Sequence, residues 1–469
     1  MVHSTAQQPI PRVVIAGSGG DAGKTLVSMG LAASWRRRGM KVAVFKKGPD
    51  YIDAAWLGLA AGSQAHNLDT YLMSTAGVQC SFQRHSRSFD VSLIEGNRGL
   101  FDGLDIAGTH STAALAKLLC APVILVQDVT KVTRTAAASV LGCMRLDPEL
   151  RIAAVILNRV AGARHESIVR KAIESICGVP VIGAFPKLSG KNLLPDRHLG
   201  LVTPQEHADS EGLDARLADL AEKHMDMNVA LAIAGSAPLP QCDAEASFEA
   251  EKTARPRTRI AYFSDSAFTF YYQDNLDALQ RAGAGLIPIS SLTSRSLPKC
   301  DALYIGGGFP ETHAEQLEAN DKFRESVRKA AQLGLPIYAE CAGLIYLCRS
   351  IRWQGRKYSF AGVFPLDLEV TAQPQGHGYM EVAVDHSNPY FRKGAKMRGH
   401  EFHYSRIILA SDNIRSAYHV DRGRGALKGR DGLMYKNVLA SFFHLHALGV
   451  PDWALNFVKL AENHRKGKG

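Results

Sequence analysis

Residues 12–25, RVVIAGSGGDAGKT, decide the fold. RVVIAG (12–17) is an apolar run of strand length, and KTLVSMGLAASWRRRG (24–39) reads as a helix that a glycine ends. The eight residues from Ser18 to Thr25 join them and match the P-loop pattern, with serine in place of the first glycine. Gly19, Gly20 and Gly23 let backbone N–H groups turn toward an anion, and the N-terminus of the following helix favours negative charge. In such a loop Lys24 reaches the terminal phosphates and Thr25 sits on Mg²⁺. The plainer alternative is a glycine-rich turn without a ligand. A strand before it, GKT at the junction and a helix after it favour phosphate binding.

Outward from the loop, the alternation repeats. KVAVFK (41–46), VSLIEG (91–96), APVILVQD (121–128), IAAVILN (152–158) and VPVIGAFP (179–186) read as strands. Their nearly unbroken Val, Ile and Leu content suits a parallel sheet covered on both faces, with helices such as HESIVRKAIESICG (165–178) between them. That is a doubly wound α/β pattern. Residues 225–257 shift to Ala, Pro, Ser and charge, which reads as a linker with a short helix before it. A second α/β alternation follows in RIAYFSD (259–265), GAGLIPIS (283–290), DALYIGGG (301–308) and GLPIYAEC (334–341), with helix expected over 311–334. Residues 378–410 and 436–446 alternate enough to add strands. The expected organisation is a first domain over 1–225, a linker over 226–257 and a second domain over 258–469.

The 469 residues suit two to four domains at roughly 100–200 residues each. With 46% hydrophobic and 21% charged residues, such domains have ordinary cores. No apolar run reaches the roughly 18 residues of a membrane span. The start, MVHSTAQQPIPRVVIAG, lacks the basic-then-apolar order of a signal peptide, so a cytoplasmic protein is expected. A net charge of +10 suits nucleic acid, but also a polycarboxylate or phosphate ligand. The basic residues are scattered, with Arg36, Arg37 and Arg38 the densest group, and no basic stripe carries aromatic platforms. Nucleic acid is therefore not expected as a partner. None of the eight cysteines has CxxC spacing, which argues against a zinc site or redox pair and for reduced thiols.

Two sets of residues carry chemistry. Asp50 and Asp53 in FKKGPDYID (45–53), and Glu95 and Asp102 in LIEGNRGLFDG (93–103), follow strands. With Lys47 they are expected on the sheet edge that carries the P-loop, where carboxylates hold Mg²⁺ or shape an acceptor pocket. Each alone also suits a turn or helix cap. Asp128 and Asn158 end further strands, and an amide at 158 could read a base edge. In the second half Cys341 stands at a strand–turn–helix junction, which exposes a nucleophile at a helix N-terminus and lowers a thiol pKa. Gly307 and Gly308, after another strand, offer N–H groups for an oxyanion hole. His444 or His446 in LASFFHLHALG would supply a general base, with His444 preferred because it comes directly off a strand.

In order, SGGDAGKT (18–25), FKKGPDYID, IEGNRGLFDG, LPDRHLGL (194–201), YIGGGFPE (304–311), YAECAGLIYL (338–347), RGHEFHYS (398–405) and ASFFHLH (440–446) resemble the cobyrinic acid a,c-diamide synthase family over nearly the whole chain. The resemblance implies an ATP-dependent amidoligase domain similar to dethiobiotin synthetase, followed by a class I glutamine amidotransferase domain. Glutamine is hydrolysed at Cys341 with His444, and the ammonia passes to the amidoligase domain. There ATP activates the a and c acetate carboxylates of a tetrapyrrole as acyl phosphates, which ammonia converts to amides. By this carry-over Ser18, Gly19, Gly20, Asp21, Ala22, Gly23, Lys24 and Thr25 hold ATP, and Asn158 touches adenine. Asp50, Tyr51, Asp53, Glu95 and Asp102 serve the acceptor and Mg²⁺, with Thr25 and Glu95 on the metal. ATP and glutamine are substrates, the partner is a polycarboxylate tetrapyrrole, and a homodimer is admitted. Ordinary class I amidotransferases carry a glutamate two positions after the histidine. Here His446 stands there, which implies a Cys–His dyad. Asn97, Arg98 and Lys47 depart from the commoner family pattern. Sirohaem or sirohydrochlorin, with or without nickel, is the alternative acceptor. A P-loop switch ATPase with an inactive second domain would have lost Cys341 or His444, and both are present.

Overall fold

The computed structural model describes residues 10–188, 196–197, 200–201, 203–206, 212–239, 256–409 and 414–467. Two compact units divide the chain, Met1–Ser247 and Phe248–Gly469. Residues 194–195 and 198–199 of LPDRHLGL, and 240–255 of the expected linker, lie outside the described residues.

The first unit is built on seven parallel strands. They are β1 (Arg12–Gly17), β2 (Val42–Lys47), β3 (Ala65–Leu68), β4 (Val91–Gly99), β5 (Val123–Asp128), β6 (Ile152–Val160) and β7 (Val181–Pro186). Their order is β3-β2-β4-β1-β5-β6-β7. Six of the strands match expected runs. The seventh, β3, reads AHNL. It escapes sequence reading because an edge strand of four residues with no β-branched side chain carries no periodic signal. Val13, Val14 and Ile15 of β1 and Val123, Ile124 and Leu125 of β5 are fully buried, as a sheet covered on both faces requires.

Helix α1 (Lys24–Arg37) follows β1, starting from Gly23 at φ 97°. Its Gly30 lies against helix Leu213–His224, so closely that a Cβ there would come within 2.9 Å of the Ala221 Cβ. Residues 227–235, at the start of the expected linker, form a helix instead. Met227, Ala230, Ile233 and Ala234 bury one side of it in the core of the first unit, and Asp226 caps its start through Asn228 N and Val229 N, both at 3.0 Å. That apolar spacing, not the Ala- and Pro-rich composition after it, decides the local structure.

The second unit carries a ten-stranded mixed sheet. Its parallel half runs through Ala284–Ile289, Thr258–Phe263, Ala302–Ile305, Ile337–Glu340 and Val438–Ser441. Antiparallel strands Arg430–Tyr435, Arg415–Arg422, Gly376–Val384, Lys396–His403 and His444–Leu445 complete it. The helix expected over 311–334 is interrupted. Ala314–Ala319 and Asp321–Gln332 are separate helices, and Asn320 between them has φ −84° and ψ 60°. Its side chain donates to Ser291 O and Ser294 O, each at 2.9 Å, a local alternative to continuing the helix. Among the described residues no helix is long and apolar enough to cross a membrane.

The contact of Gly30 with Ala221 gives a stability prediction. Gly30→Leu should lower the unfolding free energy of the first unit by about 1–3 kcal/mol through overpacking. A shift of the urea midpoint measures it.

Candidate functional site

The P-loop leaves β1 at the centre of the first sheet. Lys24 folds back, with Nζ donating to Gly19 O at 3.3 Å, and burial lowers its pKa. The N-cap of α1 is Gly23, which has no side chain to cap the helix. Gly23 cannot be replaced in this geometry, since a Cβ would fall 2.1 Å from Asn158 Nδ2. Asn158 ties the loop down from the end of β6. Its Nδ2 donates to Ala22 O at 2.8 Å, and its Oδ1 accepts from Arg159 N at 2.9 Å. Both polar atoms of the amide expected to read a base are thus engaged within the protein.

The expected acidic cluster forms in part, around a lysine that sequence reading missed. Lys46 on β2 lies in register with Glu95 on β4. Its buried ammonium donates to Glu95 Oε1 at 2.7 Å and to Asp53 Oδ2 at 2.6 Å, with Asp50 Oδ2 at 3.7 Å. Thr25 Oγ1 donates to Glu95 Oε1 at 2.8 Å and lies 3.5 Å from Asp53 Oδ2, joining the P-loop to the acids. Burial, then the neighbouring Asp53 charge, push the Asp50 carboxyl up to about 7. Burial also acts to raise Asp53, but the Lys46 ammonium outweighs it and holds that carboxyl below its ordinary value. Asp50 caps helix α2 (Tyr51–Ala61) as well, accepting from Asp53 N at 3.0 Å, and Tyr51 opens that helix.

Other expected members lie apart. Lys47, the next residue on β2, points to the opposite side of the sheet, as strand alternation requires, and faces Asp69 and Arg98. Asp102 is exposed and accepts from Gly99 N at 2.8 Å, a turn cap. Asp128 caps its own turn through Thr130 N at 2.8 Å and pairs with Arg159. Magnesium fits the corner of Thr25 and Glu95. The donors are all oxygen, and Glu95 Oε2 is buried without a hydrogen-bond partner among the described residues.

In the second unit Cys341 stands between strand Ile337–Glu340 and helix Ala342–Leu347 at φ 48° and ψ −100°, a backbone conformation that L residues rarely adopt. Cys341 N donates to Ser441 O at 2.7 Å, and Gly343 N donates to Gly306 O at 3.1 Å, fixing the turn against the glycine-rich strand end. The expected lowering of the thiol pKa is reversed. Burial, then the carboxylate of Glu311, push the thiol up. The expected pair of oxyanion N–H groups is reduced as well. Gly307 N donates to Phe270 O at 3.2 Å, which leaves Gly308, at φ 152° and with Ala267 O 2.1 Å from where a Cβ would lie. His444 opens the short strand His444–Leu445 over Gly307, whose Cβ would fall 2.7 Å from His444 Cε1. His446 packs against the Tyr272 ring at 4.7 Å, with Nε2 3.7 Å from Asp274 Oδ2.

Sequence reading also missed a cleft of about 370 Å³ lined by Gln375, His403, Arg406, Arg424, Lys428 and Phe442. Its wall residue His403 follows Phe402, whose carbonyl lies 3.6 Å from Cys341 Sγ. The signal was there in RGRGALKGR (422–430), a basic glycine-rich loop that Glu401 holds through Arg424 N at 2.6 Å and Gly425 N at 3.0 Å.

Comparison with known proteins agrees with this division of labour. Residues 13–202 match the CobQ/CobB/MinD/ParA nucleotide binding domain, and residues 259–451 match the CobB/CobQ-like glutamine amidotransferase domain. The cobyrinate a,c-diamide synthase of Magnetococcus marinus is 41% identical over 448 residues, 95% of this chain and 96% of that protein. Those of Archaeoglobus fulgidus and Dehalococcoides mccartyi are each 41% identical. They cover 96% and 97% of this chain and 98% of their own lengths.

Removing the shared cation tests the acidic corner. Lys46→Met leaves the buried Glu95 and the half-buried Asp53 facing each other, which should cost about 3–5 kcal/mol of stability. Asp53, now held below its ordinary value, would rise above it, and Glu95, already raised by burial, would rise further, so the penalty is full above these raised pKa values and eases as pH falls through them toward the unfolded ones. Urea titrations from about pH 8 to about pH 5 should show the deficit shrinking.

Proposed function

The chain belongs to the family of cobyrinate a,c-diamide synthases, and we propose from that premise that its glutamine-dependent, ATP-driven amidation acts on the a and c acetate carboxylates of cobyrinic acid. The observation that carries the amidoligase half is the single cluster in which Thr25 of the P-loop, Glu95 and Asp53 meet. It brings the phosphates of ATP to the acids that face an acceptor.

Ser18 to Thr25 wrap the phosphates in backbone N–H groups, and Lys24 offers its ammonium to the terminal ones. Thr25 and Glu95 would hold Mg²⁺, which when bound neutralises phosphate charge. An acceptor carboxylate oxygen attacks the γ-phosphorus, the bond to ADP breaks, and an acyl phosphate forms. Ammonia then attacks the acyl carbon, phosphate leaves with the bonding pair, and an amide remains after loss of a proton.

In the second unit the buried thiol needs a base as it attacks, and in this reading His444 takes the proton. The thiolate attacks the glutamine side-chain carbonyl, ammonia leaves, and water releases glutamate from the thioester. In this reading Gly308 N–H and the N–H of Ala342, the residue after the nucleophile, donate to the developing oxyanion. The basic cleft beside Phe402 suits the α-carboxylate of glutamine through Arg406, Arg424 or Lys428. A cytoplasmic setting, where ATP and glutamine are at hand, belongs to the same reading.

An acceptor screen tests the proposal. Purified protein with Mg-ATP and glutamine is offered cobyrinic acid, sirohydrochlorin, its nickel form and sirohaem, and mass spectrometry counts replacements of OH by NH₂. Two replacements on cobyrinic acid are expected. Replacement only on a sirohydrochlorin-type acceptor would overturn the acceptor and keep the chemistry. Cys341→Ala should cut glutamine-dependent turnover by about 10⁴-fold or more while ammonia-dependent turnover persists. Lys24→Ala should remove both, because acyl phosphate formation needs ATP.

A further inference from the structure

The position that carries an orienting glutamate in ordinary class I amidotransferases holds His446 here, and its Nε2 is directed at Asp274 rather than toward His444. A carboxylate nonetheless stands at His444. Glu340, the residue just before the nucleophile, is 1% exposed, and its Oε2 lies 3.6 Å from His444 Nδ1. Its strand runs beside Val438–Ser441 with Glu340 in register with Ser441, three residues before the histidine. We propose that Glu340 is the positioning residue of the glutaminase centre, holding the His444 ring so that Nδ1 keeps its proton and Nε2 faces the Cys341 thiol. The inference rests on the reading of His444 as the base.

Three further observations carry it. Glu340 Oε1 accepts from Leu445 N at 3.3 Å, which fixes the backbone directly after the histidine. Tyr304 Oη donates to Glu340 Oε2 at 3.1 Å, so the carboxylate cannot swing away. A buried carboxylate needs a compensating charge, and His444 is the one ion-pair partner of Glu340 among the described residues. The imidazolium formed when His444 takes the thiol proton is that charge. On the other side His400 stacks on His444, with ring centroids 4.7 Å apart and 15° between planes. Burial holds His400 well below its ordinary pKa, so it meets the imidazolium as a neutral ring. The separation of 3.6 Å is longer than a hydrogen bond and is of the loose kind that tightens when substrate binds.

Glutamine at 340 keeps the size and an acceptor oxygen for Leu445 N, and its NH₂ would meet the Tyr304 hydroxyl, which can accept, so the substitution removes the charge while keeping most of the structural contacts. The test therefore uses Glu340→Gln, Glu340→Asp and His444→Ala in the full chain, with glutamine-dependent and ammonia-dependent amidation measured side by side. Glu340→Gln should lower kcat with glutamine by about 10²-fold or more with KM for glutamine nearly unchanged. Ammonia-dependent amidation should persist, and Glu340→Asp should recover part of the lost kcat. Full kcat in Glu340→Gln, or an aspartate variant no better than the glutamine one, would overturn the inference while leaving the histidine base intact. Glutaminase activity surviving His444→Ala would instead overturn the base itself. Nitrogen NMR of the native protein, with the His444 signal assigned by its absence in His444→Ala, keeps the question open to test should Glu340→Gln fail to fold. The proton is expected on Nδ1, and a proton on Nε2 alone would refute the proposal.

Discussion

A buried ammonium shared by two carboxylates organises the first unit. Lys46 reaches Asp53 and Glu95 at 2.6 and 2.7 Å from a strand that runs beside β4, and its charge offsets the cost of placing these carboxylates in the interior. The pairing depends on the parallel register that sets Lys46 beside Glu95, and so on the whole β2-β4-β1 arrangement. Thr25 then links the same Glu95 oxygen to the P-loop. Phosphate loop, acids and sheet are one construction, in which a change of register would move every charged group at once.

The second unit reaches its chemistry by different means. Cys341 sits on a strained backbone, and a strand, a glycine-rich turn and a returning segment meet around it. Glycine is required where the chains come closest. A Cβ on Gly343 would lie 2.5 Å from Ile305 O, and one on Gly308 would lie 2.1 Å from Ala267 O. Those positions are taken up by backbone approach, and the Cys341 and His444 side chains stand beside them.

Much of this was legible in the residues. The P-loop announced itself because glycine, lysine and threonine each have a distinct physical task at a fixed spacing, and the parallel strands because apolar runs of strand length have few other uses. The parts that escaped depend on direction. Lys46 and Lys47 are equivalent in the text of the sequence, and only strand alternation in three dimensions decides which one meets the acids. Gly307 offers a donor on paper, yet pairing with Phe270 occupies it. Cys341 stands at a helix start, which argues for an acidic thiol, but burial dominates. Glu340 was hidden beside the cysteine in an apolar run, where a lone carboxylate carries no periodic signature.

The burial of Cys341 has a consequence for how the protein lives between turnovers. Peroxide and other electrophiles react with thiolates, and a thiol pushed up by burial presents almost none. In the proposed glutaminase such a thiol stays chemically quiet until a substrate and the histidine draw out its anion. A chain built this way guards its most vulnerable atom against oxidative ageing by withholding its charge.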